Sequence, residues 1–251
     1  MGNKIYFISD FHLGIPDHDQ SLEREKKIVT WLDMIRPDAK EIYLMGDLFD
    51  FWFEYRTAIP KGYSRILGKL AEITDSGIPV HLFRGNHDMW AFDYLSHELN
   101  ITLHGSPVFT EFGEKKFYLA HGDGLGPGDH GYKFIKRVFA SPFNQWLFRL
   151  LHPDIGIKMG LFWSRKSRNA STEREENHEE RNLKLISDRL TFHSKKLIEK
   201  HPELDFLVYG HYHYPLDLKL SEKARQIVLG DCLTHFSYAV FDGRNMELKV
   251  F

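Results

Sequence analysis

The 251-residue chain has a single cysteine, Cys232, so no intrachain disulfide can form, which fits a reducing compartment. Neither sign of charge is in excess. Lys and Arg number 33 against 35 Asp and Glu, a formal net charge of -2, which argues against nucleic acid as a partner. No run of about 18 apolar residues occurs, so nothing reads as a membrane span. The opening MGNKIYFISD is strand-like from the start, with no charged segment ahead of an apolar one, so no secretory signal is expected. Gly2 is placed for N-myristoylation, but Tyr6 stands where Ser or Thr is needed. These absences together predict a cytoplasmic protein. With 42% hydrophobic residues the chain can bury a core of its own, as one large domain or a domain with an insertion.

Histidine is what the chain has in quantity, at 15 residues. Imidazole is both a metal ligand and the usual acid/base near neutral pH. Most surface histidines have neither role, so position must select among them.

Several short apolar runs each stop at polar, often glycine-containing sequence: KIYFISD, EIYLMGD, PVHLFRGNHD, KKFYLAHGD and DFLVYGHYH. Helical patterns separate the first three. LEREKKIVTWLDMI places Ile28, Trp31, Leu32 and Ile35 on one face, and SRILGKLAEITDSG does the same with Ile66, Leu67, Leu70 and Ile73 before stopping at Gly77. The start therefore reads β-α-β-α-β. Later, VFTEFGEKKFYLAHG reads as a hairpin, and LDLKL, ARQIVLG, HFSYAVF and MELKV read as strands without helices between them. The fold class expected is α/β in the broad sense, an α+β sandwich of two packed mixed sheets flanked by helices.

Between these strand-rich parts, residues 129–200 read as helical throughout. Helices are expected near Asp129–Ala140, Pro142–Leu151, Pro153–Trp163 and Thr172–Lys200. SRKSRNAST is read as a flexible stretch, and TERE at Thr172 as a capping box. The block is expected to be a helical lid inserted into a core formed by residues 1–128 and 201–251.

Polar residues gather at the strand ends: Asp10 and His12; Asp47 and Asp50; Asn86, His87 and Asp88; His121; His211 and His213. In open α/β sheets the ligand site lies outside the carboxyl ends of the strands, so five segments would aim carboxylate, amide and imidazole groups at one place. Asp10 and His12, two residues apart, are expected on one side of an extended segment, and His211 and His213 likewise. The chemistry that uses such a set is two-metal hydrolysis, in which a carboxylate bridges two divalent ions, and Asp47 is the natural bridge. The mixed nitrogen and oxygen donors leave manganese, iron and zinc as candidates, with manganese preferred here.

DFHLG, GDLFD, GNHD, HGD and GHYH resemble the five motifs of the calcineurin-like metallophosphoesterases, in family order and over nearly the whole chain. The resemblance implies one metal on Asp10, His12, Asp47 and His213. A second would sit on Asp47, Asn86, His121 and His211. A hydroxide then attacks phosphorus. His87 matches the histidine that steadies the transition state or protonates the leaving oxygen, and Asp88 is expected to orient it. Asp50 is expected to support the ligands rather than join them.

The lid narrows the substrate. Residues 129–172 carry eight Lys and Arg against two Asp and Glu, together with a series of aromatic residues. Ile135, Val138 and Phe139 mark one apolar stripe, and Phe143, Trp146, Leu147, Leu150 and Leu151 another. Such stripes pack helices onto a domain, or they suit a membrane surface or an anionic ligand with acyl chains. GDLFDFW, HGDGLGPGDHGYKFI, NQWL, GHYHYP and VLGD together resemble the UDP-2,3-diacylglucosamine hydrolases of lipid A synthesis. Those enzymes cleave a pyrophosphate to release UMP and a lipid 1-phosphate beneath a helical lid. That likeness implies an amphiphilic nucleotide-sugar lipid as partner, with substrate contacts from Asn86, His87, Asp129, Ser167 and His211. It also implies peripheral contact with the inner membrane. Lys166, Arg168 and Arg174 are phosphate contacts on charge alone. The chain departs from that branch in having GNHD where GNRD is usual, which keeps a related pyrophosphate substrate open. Two further alternatives stand. One is a phosphodiesterase or nucleotide pyrophosphatase acting on a soluble substrate. The other is a non-catalytic binding module on the same scaffold, which loss of ligands would signal; none is lost.

Overall fold

In the computed structural model, the structure describes residues 2–128, 130–176 and 179–251, with side chains described outside 167–187. The chain opens as β1 (Lys4–Ile8), α1 (His18–Ile35), β2 (Ala39–Leu44), α2 (Ser64–Asp75), β3 (Val80–Phe83), α3 (Tyr94–Leu99) and β4 (Thr102–His104). A hairpin of β5 (Val108–Phe112) and β6 (Lys115–Ala120) follows. Then come α4 (His130–Ala140), α5 (Pro142–Arg149), α6 (Pro153–Glu176) and α7 (Glu179–Lys200). The chain closes with β7 (Phe206–Tyr209), β8 (Pro215–Lys219), β9 (Arg225–Leu229), β10 (Ser237–Phe241) and β11 (Met246–Val250).

These strands form two mixed sheets, in the orders β11-β10-β1-β2-β3-β4 and β5-β6-β7-β9-β8. The centre of each is parallel: β1, β2, β3 and β4 in the first, β6, β7 and β9 in the second. The expected sandwich is what forms, and period-two alternation explains it. In β1, Ile5 and Phe7 face the second sheet, where they pack with Phe117, Val208 and Ile227. Tyr6 and Ile8 face the other way, against Ile28, Trp31 and Leu32 of α1 and Ile66 and Leu70 of α2. The far side of the second sheet is covered by α7 through Leu190. A strand buried on both faces reads as a continuous apolar run, which is why KIYFI and FLVY were legible.

The α1 start is fixed by Asp17, whose side chain accepts from the Gln20 amide at 2.9 Å. The helical block differs from expectation. Residues 164–176 continue α6 without a break, where a flexible stretch and a new capped helix were expected. They contain neither proline nor glycine, and Arg, Lys, Ala and Glu favour continuation. The short α3 and β4 were not anticipated, because six and three residues are too few to show a period.

The GDLFDFW stretch lies largely in the core. Phe49 and Trp52 are fully buried and stacked, with ring centroids 4.3 Å apart. The Trp52 indole donates to Glu54 at 3.0 Å, and the other Glu54 oxygen accepts from the amides of Phe92, Asp93 and Tyr94. Phe51 and Phe53 instead pack with Trp90 and with Phe148 of α5. Phe51 lies so close to Gly160 of α6 that a Cβ there would meet its ring at 2.2 Å. These two aromatics form an apolar seam between the sheet-based core and α5–α6.

Candidate metal centre

The residues expected to ligate metal lie just beyond central parallel strands. Asp10 follows β1, Asp47 follows β2, Asn86 follows β3, His121 follows β6, and His211 follows β7. Because β1–β3 belong to one sheet and β6–β7 to the other, the two sheets meet at the centre. The loops are cross-tied: Asp10 N–H donates to the Gly46 carbonyl, His12 N–H to the Asp47 carbonyl, and Gly210 N–H to the His121 carbonyl, at 2.9–3.0 Å.

Spacing along an extended segment is not what pairs these residues. Asp10, His12, Asp47, His211 and His213 have φ of 57°, 44°, 55°, 68° and 55°. Non-glycine residues adopt the left-handed region rarely, and such strain concentrates at functional sites. The loops turn through it to bring both members of each pair inward. Gly85 is required for the same reason of space, since a Cβ there would lie 2.1 Å from Asp47 Oδ1.

Two clusters result. His12 Nε2 and His213 Nε2 are 3.0 Å apart, and Asp10 Oδ1 lies 3.6 Å and 3.3 Å from them. In the second, Asp47 Oδ2 and Asn86 Oδ1 each lie 3.3 Å from His121 Nε2, with the His211 ring 5.2 Å from that of His121 between centroids. Asp47 Oδ2 is also 3.9 Å from His12 Nε2, so this carboxylate stands between the clusters. Donor atoms of Asp10, His12 and His213, of His12, Asp47 and His87, and of Asp47, His121 and His211 converge closely enough to hold an ion.

The donor chemistry fits metal ions. Asp10 Oδ1 is buried without a hydrogen-bond partner, while Asp10 Oδ2 accepts from the His211 amide at 2.8 Å. The His121 Nδ1–H donates to the Met45 carbonyl at 2.7 Å, which turns the Nε2 lone pair toward two oxygens that also carry lone pairs. A proton on Nε2 or a metal ion in its place resolves that clash, so this nitrogen is a ready ligand position. Burial pulls the His12 and His211 imidazoles down to about 3 and about 4, so both are neutral at pH 7, as ligands must be. Burial works against ionisation of Asp10 and Asp47 too, but the histidines around them outweigh it and hold both well below the usual carboxylate range. His121 is likewise opposed by burial, yet Asp47 pushes it up to about 10.

His87 lies beside the clusters, its ring 4.8 Å from that of His12 and edge-on to it. Its expected partner is not the observed one. Asp88 accepts from the amides of Leu48 at 2.8 Å and Gly85 at 2.7 Å, bracing two of the site loops. Burial and the nearby Asp47 push the Asp88 carboxyl up to about 7. The His87 Nδ1 instead meets the Asp50 carbonyl at 2.8 Å and the Ser164 hydroxyl at 3.1 Å. Asp50 is buried at the centre's edge, with Oδ1 3.5 Å from His12 Nδ1.

Three contributors were missed from the sequence. Ser164 arrives from α6 and could not have been paired with His87 by any local pattern. Asp231, 3.8 Å from His213 Nδ1, follows β9 in the VLGD run, whose strand-then-aspartate form was a usable signal. Asp123 of the HGD run accepts from Tyr132 at 2.5 Å and pairs with Lys136 at 2.6 Å, tying α4 to the site. Asp129 lies outside the described residues, as do the side chains of Ser167, Arg168 and Arg174; Lys166 is exposed on α6.

The apolar stripes of α4 and α5 mostly do not pack on the core. Phe134, Ile135, Phe143, Trp146, Leu147 and Leu150 are 44–66% exposed. Phe139, Phe148 and Leu151 are the ones that join the seam with Phe51. No helix among the described residues is long and apolar enough to cross a membrane.

A family model described as calcineurin-like phosphoesterase matches residues 3–215. A UDP-2,3-diacylglucosamine hydrolase of Porphyromonas gingivalis is 39% identical, over 99% of this chain and 98% of its own length. One of Pseudomonas entomophila is 30% identical over 90% of each. Among solved structures, a phosphoesterase from E. coli aligns over 98% of this chain and 92% of its own, at 17% identity and a TM-score of 0.44, too distant to add to the family evidence.

Proposed function

Because the chain belongs to the calcineurin-like phosphoesterases, a family of metal-dependent phosphoester hydrolases, we propose that it hydrolyses the pyrophosphate of UDP-2,3-diacylglucosamine, releasing UMP and the lipid 1-phosphate in lipid A synthesis. The observation that carries this reading is the 39% identity, over essentially both full lengths, to a UDP-2,3-diacylglucosamine hydrolase.

One divalent cation would be held by Asp10, His12, Asp47 and His213, and a second by Asp47, Asn86, His121 and His211. Manganese is the ion proposed, with iron and zinc also compatible with the mixed imidazole and carboxylate donors. When bound, the pair supplies Lewis acidity to a phosphoryl oxygen and to the attacking water. The chain's own residues do the rest. Met45 holds His121 through its carbonyl, so that Nε2 faces inward. His87 is the acid/base: with Nδ1 held against the Asp50 carbonyl, its other ring nitrogen is left to serve the leaving oxygen. Asp88 shapes the loops that present Asp47 and His87.

Residues 129–200 act as a cap on a core of 1–128 and 201–251. Asp123 fastens α4 through Tyr132 and Lys136, and the Phe51 seam fastens α5 and α6. Asp129 and Ser167 are assigned to the sugar and phosphate part of the substrate, with Asn86 and His211 beside the reacting phosphate. The helices α4–α6 that carry this exposed aromatic face also carry exposed Arg137, Lys158 and Arg165. An apolar face with cationic edges matches the surface of an anionic bilayer. This match supports a peripheral position on the cytoplasmic side of the inner membrane.

The test is to incubate purified protein and manganese with UDP-2,3-diacylglucosamine and, separately, with UDP-glucosamine and a soluble aryl phosphodiester. UMP released from the diacyl substrate in strong preference supports the proposal. Equal or faster turnover of the soluble compounds overturns it in favour of a soluble-diester hydrolase.

A further inference from the structure

One polar side chain carries the cap to the chemistry. Ser164 is 7% exposed on α6, while Trp163, Arg165 and Lys166 beside it point outward. One turn earlier, Gly160 packs on the Phe51 ring. A helix that merely covered the cleft would continue that apolar seam, because a buried hydroxyl is costly unless it is hydrogen-bonded. Ser164 is hydrogen-bonded, and both partners belong to the site. Its Oγ donates to Asp50 Oδ2 at 2.7 Å and lies 3.1 Å from His87 Nδ1.

A serine hydroxyl has one proton. With that proton on the Asp50 carboxylate, the oxygen offers only lone pairs to His87. The Asp50 carbonyl, 2.8 Å from the same ring nitrogen, also only accepts. Two acceptors at one nitrogen require the proton to sit on Nδ1, which fixes the tautomer and orientation of the ring. Asp50 Oδ1 lies 3.5 Å from His12 Nδ1, so the same carboxylate borders the metal cluster as well.

We infer that Ser164 is a positioning residue: by docking on Asp50 and His87 it sets the acid/base histidine for proton transfer only when α6 is seated, so that cap docking and leaving-group chemistry are coupled. This rests on the role assigned to His87 above. A substrate whose distal part helps hold the cap in place thereby gains turnover as well as binding.

The test is a double-mutant cycle of Ser164→Ala and His87→Ala, read as UMP release from UDP-2,3-diacylglucosamine with bound manganese counted in every variant. Ser164→Ala is expected to lower kcat about tenfold, with KM changed less than about twofold and metal content unaltered. In the His87→Ala background the same substitution is expected to change kcat by less than about twofold, because the ring it positions is gone. An equal loss in both backgrounds, or no loss in either, overturns the coupling while leaving the role of His87 intact. Full turnover by His87→Ala alone overturns that role itself, and the coupling with it.

Discussion

Asp47 Oδ2 stands 3.3 Å from His121 Nε2, while the other nitrogen of that ring donates to the Met45 carbonyl. The imidazole therefore points a single nitrogen at the bridge position. In the metal-free protein, Asp47 overcomes the effect of burial and pushes His121 up to about 10. To become a ligand, His121 must give up that proton.

Metal uptake at pH 7 should accordingly release a proton from His121, and affinity for the second ion should rise roughly tenfold per pH unit between pH 7 and 10. Calorimetry in buffers of different ionisation enthalpy measures the proton count. The sign for stability is opposite. A folded pKa of about 10 lies above the ordinary histidine value of about 6.5. The charged pair then stabilises the metal-free fold fully below about pH 6.5, and that stabilisation is lost as pH rises through about 10. Thermal melts of metal-free protein should show this alkaline decline, and the metal-loaded protein should not.

Changing Asp47 to Ala should remove the bridge from both clusters. Bound metal should fall from two ions per chain to one or none, and turnover should drop by at least about 10³-fold, since both charge compensation and the shared ligand are lost. Metal analysis of the purified variant checks this. Retention of biological activity by an Asp47→Ala variant would instead revive a non-catalytic scaffold.

His87→Ala separates chemistry from metal binding. Turnover should fall on the order of 10²–10⁴-fold, the usual contribution of an acid/base group, with two ions still bound. Equal loss of metal would contradict the role assigned to the ring, which the Asp50 carbonyl and Ser164 hold at the edge of the clusters.

Gly160 marks where the cap closes on the core. Gly160→Ala would set a methyl 2.2–2.4 Å from Phe51 ring carbons. Overpacking of this kind costs about 1–3 kcal/mol, and the melting temperature should fall accordingly. A Gly68→Ala control, on an open face of α2 with nothing within 4 Å, should show no such loss.

The exposed face of α4 and α5 predicts membrane binding. Replacing Phe143 and Trp146 by Ser should lower partition onto vesicles of anionic phospholipid by at least about tenfold, as each ring contributes roughly 1.5–3 kcal/mol when buried. The fold should be unaffected, because both residues are more than half exposed. Sedimentation with vesicles measures it.

Much of this was legible in the sequence, for physical reasons. Strands buried on both faces appear as unbroken apolar runs, and the polar residues that end them sit where a parallel sheet gathers its ligands. Asp10, Asp47, Asn86, His121 and His211 therefore announced themselves. The way they converge did not. Left-handed turns at Asp10, His12 and His213 come from tertiary constraint, and no spacing rule reveals them. Ser164 was invisible because its partners lie more than 70 residues away, at separations of 114 and 77. Asp88 was expected from the family resemblance to orient His87, whereas its oxygens accept from the Leu48 and Gly85 amides. The aromatics after Asp50 divide along the same line: Trp52 belongs to the core, and Phe51 and Phe53 to the seam under the cap.

Whether two ions bridged by Asp47 drive pyrophosphate hydrolysis is decided by titrating manganese into metal-free protein while measuring both bound metal and UMP release from UDP-2,3-diacylglucosamine. Release should be negligible until the second ion binds and full at two per chain. Full UMP release with one ion or none, or no UMP with both in place, would contradict the two-ion mechanism.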